Sequence, residues 1–244
     1  MKAIIVAGGK GERLKPLTNN LPKPMVKING RPILEYIVTL FKKNGISDFI
    51  FALCYLPQSI IEYFGDGDRF GIKIKYTFEN PNFPLGTAGA ILRAKKLITD
   101  TFVVTYADII RELSIKEIIS FHKMSKNLAT INTYKHLGDN YKSSIEFNKD
   151  NYITSFQEFQ TEQKLEKGFN WSNGSFYIFE PEIFDYIPHN KKSDFSKDIF
   201  PKLLRLKKKI LIYPTSGYFL DVGTKENLKK LKDDLKFSLL TLGD

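Results

Sequence analysis

Apolar and polar positions along the first half of the chain switch repeatedly between two periods. Lys2-Ala3-Ile4-Ile5-Val6 is a nearly continuous apolar run, the mark of a strand buried on both faces. Residues 32–43 then carry Ile33, Ile37, Leu40 and Phe41 at helical spacing, and Asn44-Gly45 is suited to end that helix. Further strands are expected over 48–53, 72–78 and 101–106. Helices are expected over 58–64, 86–98 and 114–124, the last with Ser114 as its N-cap. Strands and helices in this alternation predict an α/β chain with a mostly parallel central sheet and helices on both faces.

After about Leu128 the pattern changes. Segments 128–135, 143–148, 152–157 and 174–180 show period-two alternation, with turn residues such as Asn148-Lys149-Asp150-Asn151 between them. A helix near 196–206 and a strand over 209–213 follow, and Leu228, Leu231, Leu235 and Leu239 outline a final helix. No internal repeat occurs, and in particular no hexapeptide repeat of the kind that builds a β-helix. The expected architecture is one Rossmann-like domain over 1–244, with parts 1–127 and 128–244 and a smaller β-rich region in the second.

Composition narrows the picture a little. A chain of 244 residues buries about 70–75% of its unfolded surface, enough for a large core. The longest apolar runs are far too short to span a bilayer, and the N-terminus enters a strand with no signal-peptide segment. Cys54 is the only cysteine, which rules out an internal disulfide and suits a buried structural thiol in a reducing cytoplasm. The net charge of +10 comes from lysines scattered over expected helix surfaces and loops. Without an RNA-binding aromatic motif or helix-turn-helix punctuation, this reads as a solvated surface rather than a nucleic-acid interface.

The densest chemistry follows the first strand. Ala7-Gly8-Gly9-Lys10-Gly11-Glu12-Arg13-Leu14 places a flexible, amide-rich turn at the carboxyl end of an early strand, where ligands bind in open α/β sheets. The glycines let several N–H groups converge on one anion. Arg13 adds a bidentate fork for phosphate, and Lys23, between Pro22 and Pro24, adds a point charge on a stiffened stem. Nothing here supplies a nucleophile or a base. The P-loop is excluded because no Gly-Lys-Ser or Gly-Lys-Thr occurs, and the dinucleotide fingerprint lacks its last glycine.

Gly-Gly-x-Gly-x-Arg-Leu-x-Pro-Leu-Thr followed by Pro-Lys-Pro-Met resembles the signature of the sugar-1-phosphate nucleotidylyltransferases. Pro84-Leu85-Gly86-Thr87-Ala88-Gly89, Tyr106-Ala107-Asp108, Asn173-Gly174-Ser175-Phe176-Tyr177 and Asp221-Val222-Gly223-Thr224 match that family in the same order. The resemblance covers nearly the whole chain. It implies the nucleotide-diphospho-sugar transferase fold, with residues 1–127 binding nucleotide and 128–244 binding sugar phosphate. Asp108 and Asp221 both end apolar strands, and two such carboxylates near phosphates suit Mg²⁺; the resemblance assigns them to that metal.

Further roles follow the same resemblance. Ala7, Gly8, Gly9 and Gly11 are expected to hold nucleotide, and Glu79, Asn80 and Gly86 form a rim above them that either reads the base or simply caps the helix at 86–98. Arg13, Lys23 and Asp108 are the expected catalytic residues. Glu158, Asn173 and Gly174 are expected at the sugar phosphate, although an Asn-Gly pair also suits a hairpin turn. Relatives carry Glu-Lys-Pro where this chain has Glu158-Phe159-Gln160, so either Lys164 or Lys167 supplies the missing cation or the acceptor differs from the usual hexose phosphate. Ala107 replaces the family's usual glycine before the first aspartate.

The implied reaction is Mg²⁺-dependent transfer of a nucleoside monophosphate from an NTP to a sugar 1-phosphate. The motifs look most like mannose- and heptose-1-phosphate guanylyltransferases, so GTP is the expected donor. Uridylyl- and cytidylyltransferases stay open, as does a catalytically silent nucleotide-sugar-binding regulatory subunit. A nucleotide-dependent oxidoreductase lacks its fingerprint. A cytoplasmic enzyme without nucleic-acid or membrane partners is expected, and a homodimer is admitted.

Overall fold

The computed structural model describes residues 1–135, 141–163 and 171–236. Its strands are β1 (Lys2–Ala7), β2 (Lys27–Ile28), β3 (Arg31–Pro32), β4 (Asp48–Leu53), β5 (Lys73–Phe78), β6 (Phe102–Tyr106) and β7 (Ile109–Arg111). They continue with β8 (Ala129–Lys135), β9 (Tyr141–Phe147), β10 (Ile153–Gln163), β11 (Trp171–Phe179), β12 (Ile210–Thr215) and β13 (Phe219–Asp221). The helices are α1 (Ile33–Lys43), α2 (Gln58–Phe64), α3 (Gly86–Leu92), α4 (Ile115–Ser125), α5 (Phe200–Arg205) and α6 (Lys225–Lys236).

Seven strands form one sheet in the order β12-β8-β11-β6-β1-β4-β5. β1 pairs in parallel with β4 and β6, while β11 runs antiparallel to both its neighbours, so the sheet is mostly parallel as expected. β1 lies where the strand order reverses, and the N–H of Ala107 donates to the carbonyl of Val6 at 3.0 Å. The ends of β1 and β6 therefore open side by side at the topological switch point, where α/β sheets bind ligands.

The apolar runs of these strands are buried from both sides. One core packs α1, α2, α4 and α6 through Ile37, Phe41, Phe64, Ile118 and Leu231 against one face. The other face carries α3 and α5 with a stack of rings that includes Tyr177, Phe179, Phe195 and Phe200. The hairpin of β9 and β10 joins that second core, with Phe156 against Phe200 at 5.2 Å between ring centres.

Several expected elements differ in detail. The helix expected over 86–98 stops at Leu92, and a separate 3-10 turn, Lys95–Leu97, follows once Ala94 is buried. The helix near 196–206 begins as a π-helical turn, Phe195–Ile199, before α5. Pro201 lacks the N–H needed for an α-type bond there, so the wider turn is accommodated. The Ser114 side chain makes no capping bond. Asn44 does this work from a distance: its Oδ1 accepts from the N–H of Ile115 at 3.1 Å, while its Nδ2 donates to the Leu40 carbonyl. One amide thus closes the end of α1 and the start of α4. Leu239, expected in the last helix, lies outside the described residues.

Candidate active site

The glycine turn leaves β1 pinned to the protein below it. Leu14 is fully buried beneath the turn, which leaves Arg13 on the solvent side. Gly11 has φ +64, and a Cβ there would meet Thr18 at 3.0 Å and Lys23 at 3.1 Å, so only glycine fits. Thr18 Oγ1 donates to the Gly11 carbonyl at 2.8 Å and locks the turn. Gly8 is close to Cys54, whose Cβ would stand 2.9 Å from an added methyl group. Gly9 has nothing within 4 Å of that position and faces open space. The Cys54 thiol is buried, and burial with the nearby Glu79 carboxylate pushes its pKa up, which suits an inert structural role.

Across the switch point stand the two aspartates. β7 and β13 pair antiparallel with Asp221 opposite Ile109, and the Val222 N–H donates to the Asp108 carbonyl at 3.0 Å. This short ribbon brings residues far apart in sequence into one cluster. Lys23 Nζ donates to Asp108 Oδ2 at 2.6 Å and to Asp221 Oδ1 at 3.5 Å, with its side chain only 8% exposed. Arg13 stands 3.8 Å from the other Asp221 oxygen. Four of the expected residues, Arg13, Lys23, Asp108 and Asp221, are therefore assembled beside the glycine turn.

Gly223, whose role was not assigned from sequence, packs against this cluster. Its N–H donates to Asp221 Oδ1 at 2.8 Å. A Cβ on it would lie 2.5 Å from the Arg13 guanidinium, 2.8 Å from Asp221 Oδ1 and 3.0 Å from Lys23 Nζ. Asn227 Nδ2 steadies the same turn by donating to the Asp221 carbonyl at 2.6 Å.

The rim over 79–86 is built differently from a free base-reading edge. Glu79 Oε1 accepts from the Leu85 N–H at 2.7 Å, and burial raises its pKa above the usual carboxylate value. Glu79 therefore holds the loop closed while its second oxygen faces the Gly8 side. Asn80 is spent on a turn, with its Oδ1 accepting from Asn82 and its carbonyl from Phe83. Gly86 has φ +77, and a Cβ there would strike the Ser193 carbonyl at 2.5 Å. The start of α3 is capped from residues that sequence reasoning missed. Ser193 O accepts from Ala88 N–H at 3.0 Å, and Asp194 Oδ1 accepts from Thr87 Oγ1 at 3.0 Å. They lie more than a hundred residues away and carry no local signal.

Beyond Asp221 two adjoining clefts of about 260 and 240 Å³ share Tyr106, Glu158, Asn173 and Ser175. Thr87 and Asp194 line the first, and Tyr134, Phe219 and Asp221 the second. Asn173 and Gly174 do not form a hairpin turn; they lie inside β11, at an irregularity between Asn173 and Tyr177. Asn173 Nδ2 donates to Tyr177 Oη at 2.9 Å and to Ser196 Oγ at 3.0 Å, and its Oδ1 accepts from the Ser175 N–H. Its Oδ1 keeps one lone pair for a ligand. Gly174 faces the neighbouring strand, where a Cβ would sit 2.5 Å from Asn132 Oδ1, so packing explains this glycine. Lys164 and Lys167 lie outside the described residues.

With this geometry in hand, known proteins give a consistent comparison. The nucleotidyl transferase family matches residues 2–237. The D-glycero-alpha-D-manno-heptose 1-phosphate guanylyltransferase of Campylobacter jejuni is 32% identical over 93% of this chain and 96% of its own length. A UTP–glucose-1-phosphate uridylyltransferase of Synechocystis is 33% identical over 84% of this chain, which spans only 55% of that relative. The crystal structure of HddC from Yersinia pseudotuberculosis complexed with GMP-PN superposes with a TM-score of 0.79 at 28% identity, covering 96% of this chain and 99% of that one. No helix among the described residues is long and apolar enough to cross a membrane. The chain belongs to the nucleotidyl transferase family, and the relatives it matches are sugar-1-phosphate nucleotidylyltransferases.

Proposed function

We propose that this enzyme transfers GMP from GTP to a mannose or heptose 1-phosphate, releasing pyrophosphate. The observation that carries the reaction class is the cluster of Lys23, Asp108, Asp221 and Arg13 beside the glycine turn at Gly11. An oxygen of the sugar phosphate attacks the α-phosphorus in line. The new P–O bond forms as the bond to the bridging β-phosphate oxygen breaks, and the electron pair leaves with pyrophosphate. The attacking oxygen is already anionic, so no general base is required. Catalysis then rests on positioning and charge neutralisation.

The chain's own groups divide this work. The backbone of Gly8, Gly9 and Gly11 approaches the triphosphate closely, and Arg13, exposed on the rim, supplies a fork for its outer oxygens. Lys23 places an ammonium where charge develops around the α-phosphate. Its two carboxylate partners hold it there in the absence of substrate. Glu158, Asn173 and Ser175 shape the acceptor cleft.

Asp108 and Asp221 fit Mg²⁺ by their chemistry: both bring hard anionic carboxylate oxygens to one point, where Lys23 touches the two of them. Among the described residues no third acid, His or Cys joins them, so phosphate and water would complete the shell. When bound, Mg²⁺ would neutralise phosphate charge and favour departure of pyrophosphate.

Glu79 supports the choice of guanine. Guanine presents N1–H and N2–H donors on its pairing edge, and Glu79 Oε2, the oxygen not held by Leu85 N–H, is an acceptor for one of them. The names of the Campylobacter relative and the Yersinia complex agree with this choice, while the Synechocystis relative keeps UTP as the second reading. Pyrophosphate release is to be measured with Mg²⁺ and a panel of NTPs and sugar 1-phosphates. GTP with mannose or heptose 1-phosphate should be fastest. Silence across the panel refutes the reaction, and a clear preference for UTP refutes the base assignment.

A further inference from the structure

β11 departs from regular pairing where it passes the acceptor cleft. Asn173 opposes Thr133 on β8, yet Tyr177 opposes Ile131, so four steps on one strand face two on the other. Ser175 has φ +54, a left-handed conformation unusual for a residue with a side chain. Pairing with β6 begins only at Phe176, which leaves the carbonyls of Gly174 and Ser175 off both ladders. Buried carbonyls need donors. Arg111 supplies most of them: its two terminal nitrogens donate to Gly174 O at 2.6 Å and Ser175 O at 3.3 Å, where Thr105 Oγ1 adds a longer bond at 3.4 Å.

This arginine is itself unusual. It is 3% exposed, lies over the rings of Phe176 and Phe219, and makes no ion pair of 4 Å or less with a described carboxylate. Burial lowers its pKa to about 9, which keeps the guanidinium charged at neutral pH. A buried cation with only carbonyl partners is costly unless its geometry is needed. Arg111 ends β7, three residues after Asp108, and faces Phe219 of β13. It therefore spans the ribbon that presents the aspartates and the bulge that presents Asn173 and Ser175.

We propose that Arg111 is a positioning residue for the acceptor: its fork fixes the Asn173–Ser175 bulge against the β7–β13 ribbon and sets the shape of the sugar-phosphate cleft. This rests on the nucleotidylyltransferase assignment of the site. Lysine cannot replace it, because a single ammonium lacks the planar two-pronged donor set.

The test compares Arg111→Lys and Arg111→Met with wild type by steady-state kinetics, using the fastest NTP and sugar 1-phosphate, and by hydrogen exchange over residues 171–179. Arg111→Lys keeps the buried charge and guards against loss of the fold in Arg111→Met. The expected result is faster exchange around 174–175 and a KM for sugar 1-phosphate raised about tenfold or more, with that for NTP within about twofold. Unchanged exchange, equal changes in both KM values, or a lower melting temperature with wild-type kinetics would each overturn the proposal. A wild-type enzyme that is silent with every substrate pair refutes the reaction itself and removes the acceptor role, whereas an active wild type with unaltered variants refutes Arg111 alone.

Discussion

Gly223 offers a sharp way to perturb the charge cluster without removing a charge. In Gly223→Ala a single methyl group must share space with Arg13, Asp221 and Lys23, at 2.5, 2.8 and 3.0 Å. Arg13 is 57% exposed and swings away at little cost. Asp221 is tethered by the Gly223 N–H, and Lys23 is buried between two carboxylates, so these two must absorb the displacement. Ordinary contact begins near 3.4 Å, which implies shifts of roughly 0.5 Å. A 1 Å misplacement of catalytic groups costs on the order of 10²-fold, so kcat should fall roughly 10- to 100-fold, or about 1.4–2.7 kcal/mol of barrier. Gly223 is not among the residues with positive φ, so the backbone accepts alanine, and the melting temperature should stay within about 3 °C. Pyrophosphate release at saturating substrates, beside a thermal melt, decides the matter. A kcat within about twofold of wild type would show that the cluster is not the catalytic centre.

Lys23→Ala should lower turnover by about 10²–10³, the usual loss for one transition-state charge partner, whereas a change confined to KM would assign Lys23 to ground-state binding. Gly9→Ala adds a methyl group into open space, so stability should hold while the KM for NTP rises in initial-rate assays. Wild-type KM there would mean that phosphate does not approach this backbone. His122 is buried with Nδ1 against Thr130 Oγ1 and Nε2 against Glu180 Oε1, and desolvation lowers its pKa. The unfolded chain thus binds the proton more readily, so His122's contribution to stability is complete above pH about 6.5 and lost as pH falls below it. Urea melts from pH 7.5 to 5 should show this decline, and His122→Asn should flatten it.

Much of this site was legible because its signals are local. The apolar run of β1 and the three glycines after it place the glycine turn, and strand ends before Asp108 and Asp221 place the acids. Lys23 reads as a phosphate ligand from its prolines, but its bridge to both aspartates comes only from tertiary contact. Strands of three residues, such as β7 and β13, carry too few positions to show a period. Asn173-Gly174 has the composition of a turn, and pairing of Trp171 to Asn173 with β8 carries it into the strand instead. The cap of α3 by Ser193 and Asp194, and of α4 by Asn44, depends on chain crossings that no sequence window contains.

The ribbon of β7 and β13 also sets when the enzyme becomes competent. Asp221 meets Lys23 across 198 positions of sequence, and Asp108 meets it across 85. During synthesis the glycine turn and the first four parallel strands emerge and can pack long before Asp221 exists. A nascent chain is thus able to build the glycine turn and its supporting sheet while its acid pair is still half made. Closing the 198-position span between Lys23 and Asp221 is slow relative to local packing of those strands. Activity regained on refolding should therefore lag behind helix formation, because the protein completes its chemistry only with the final crossing of the chain.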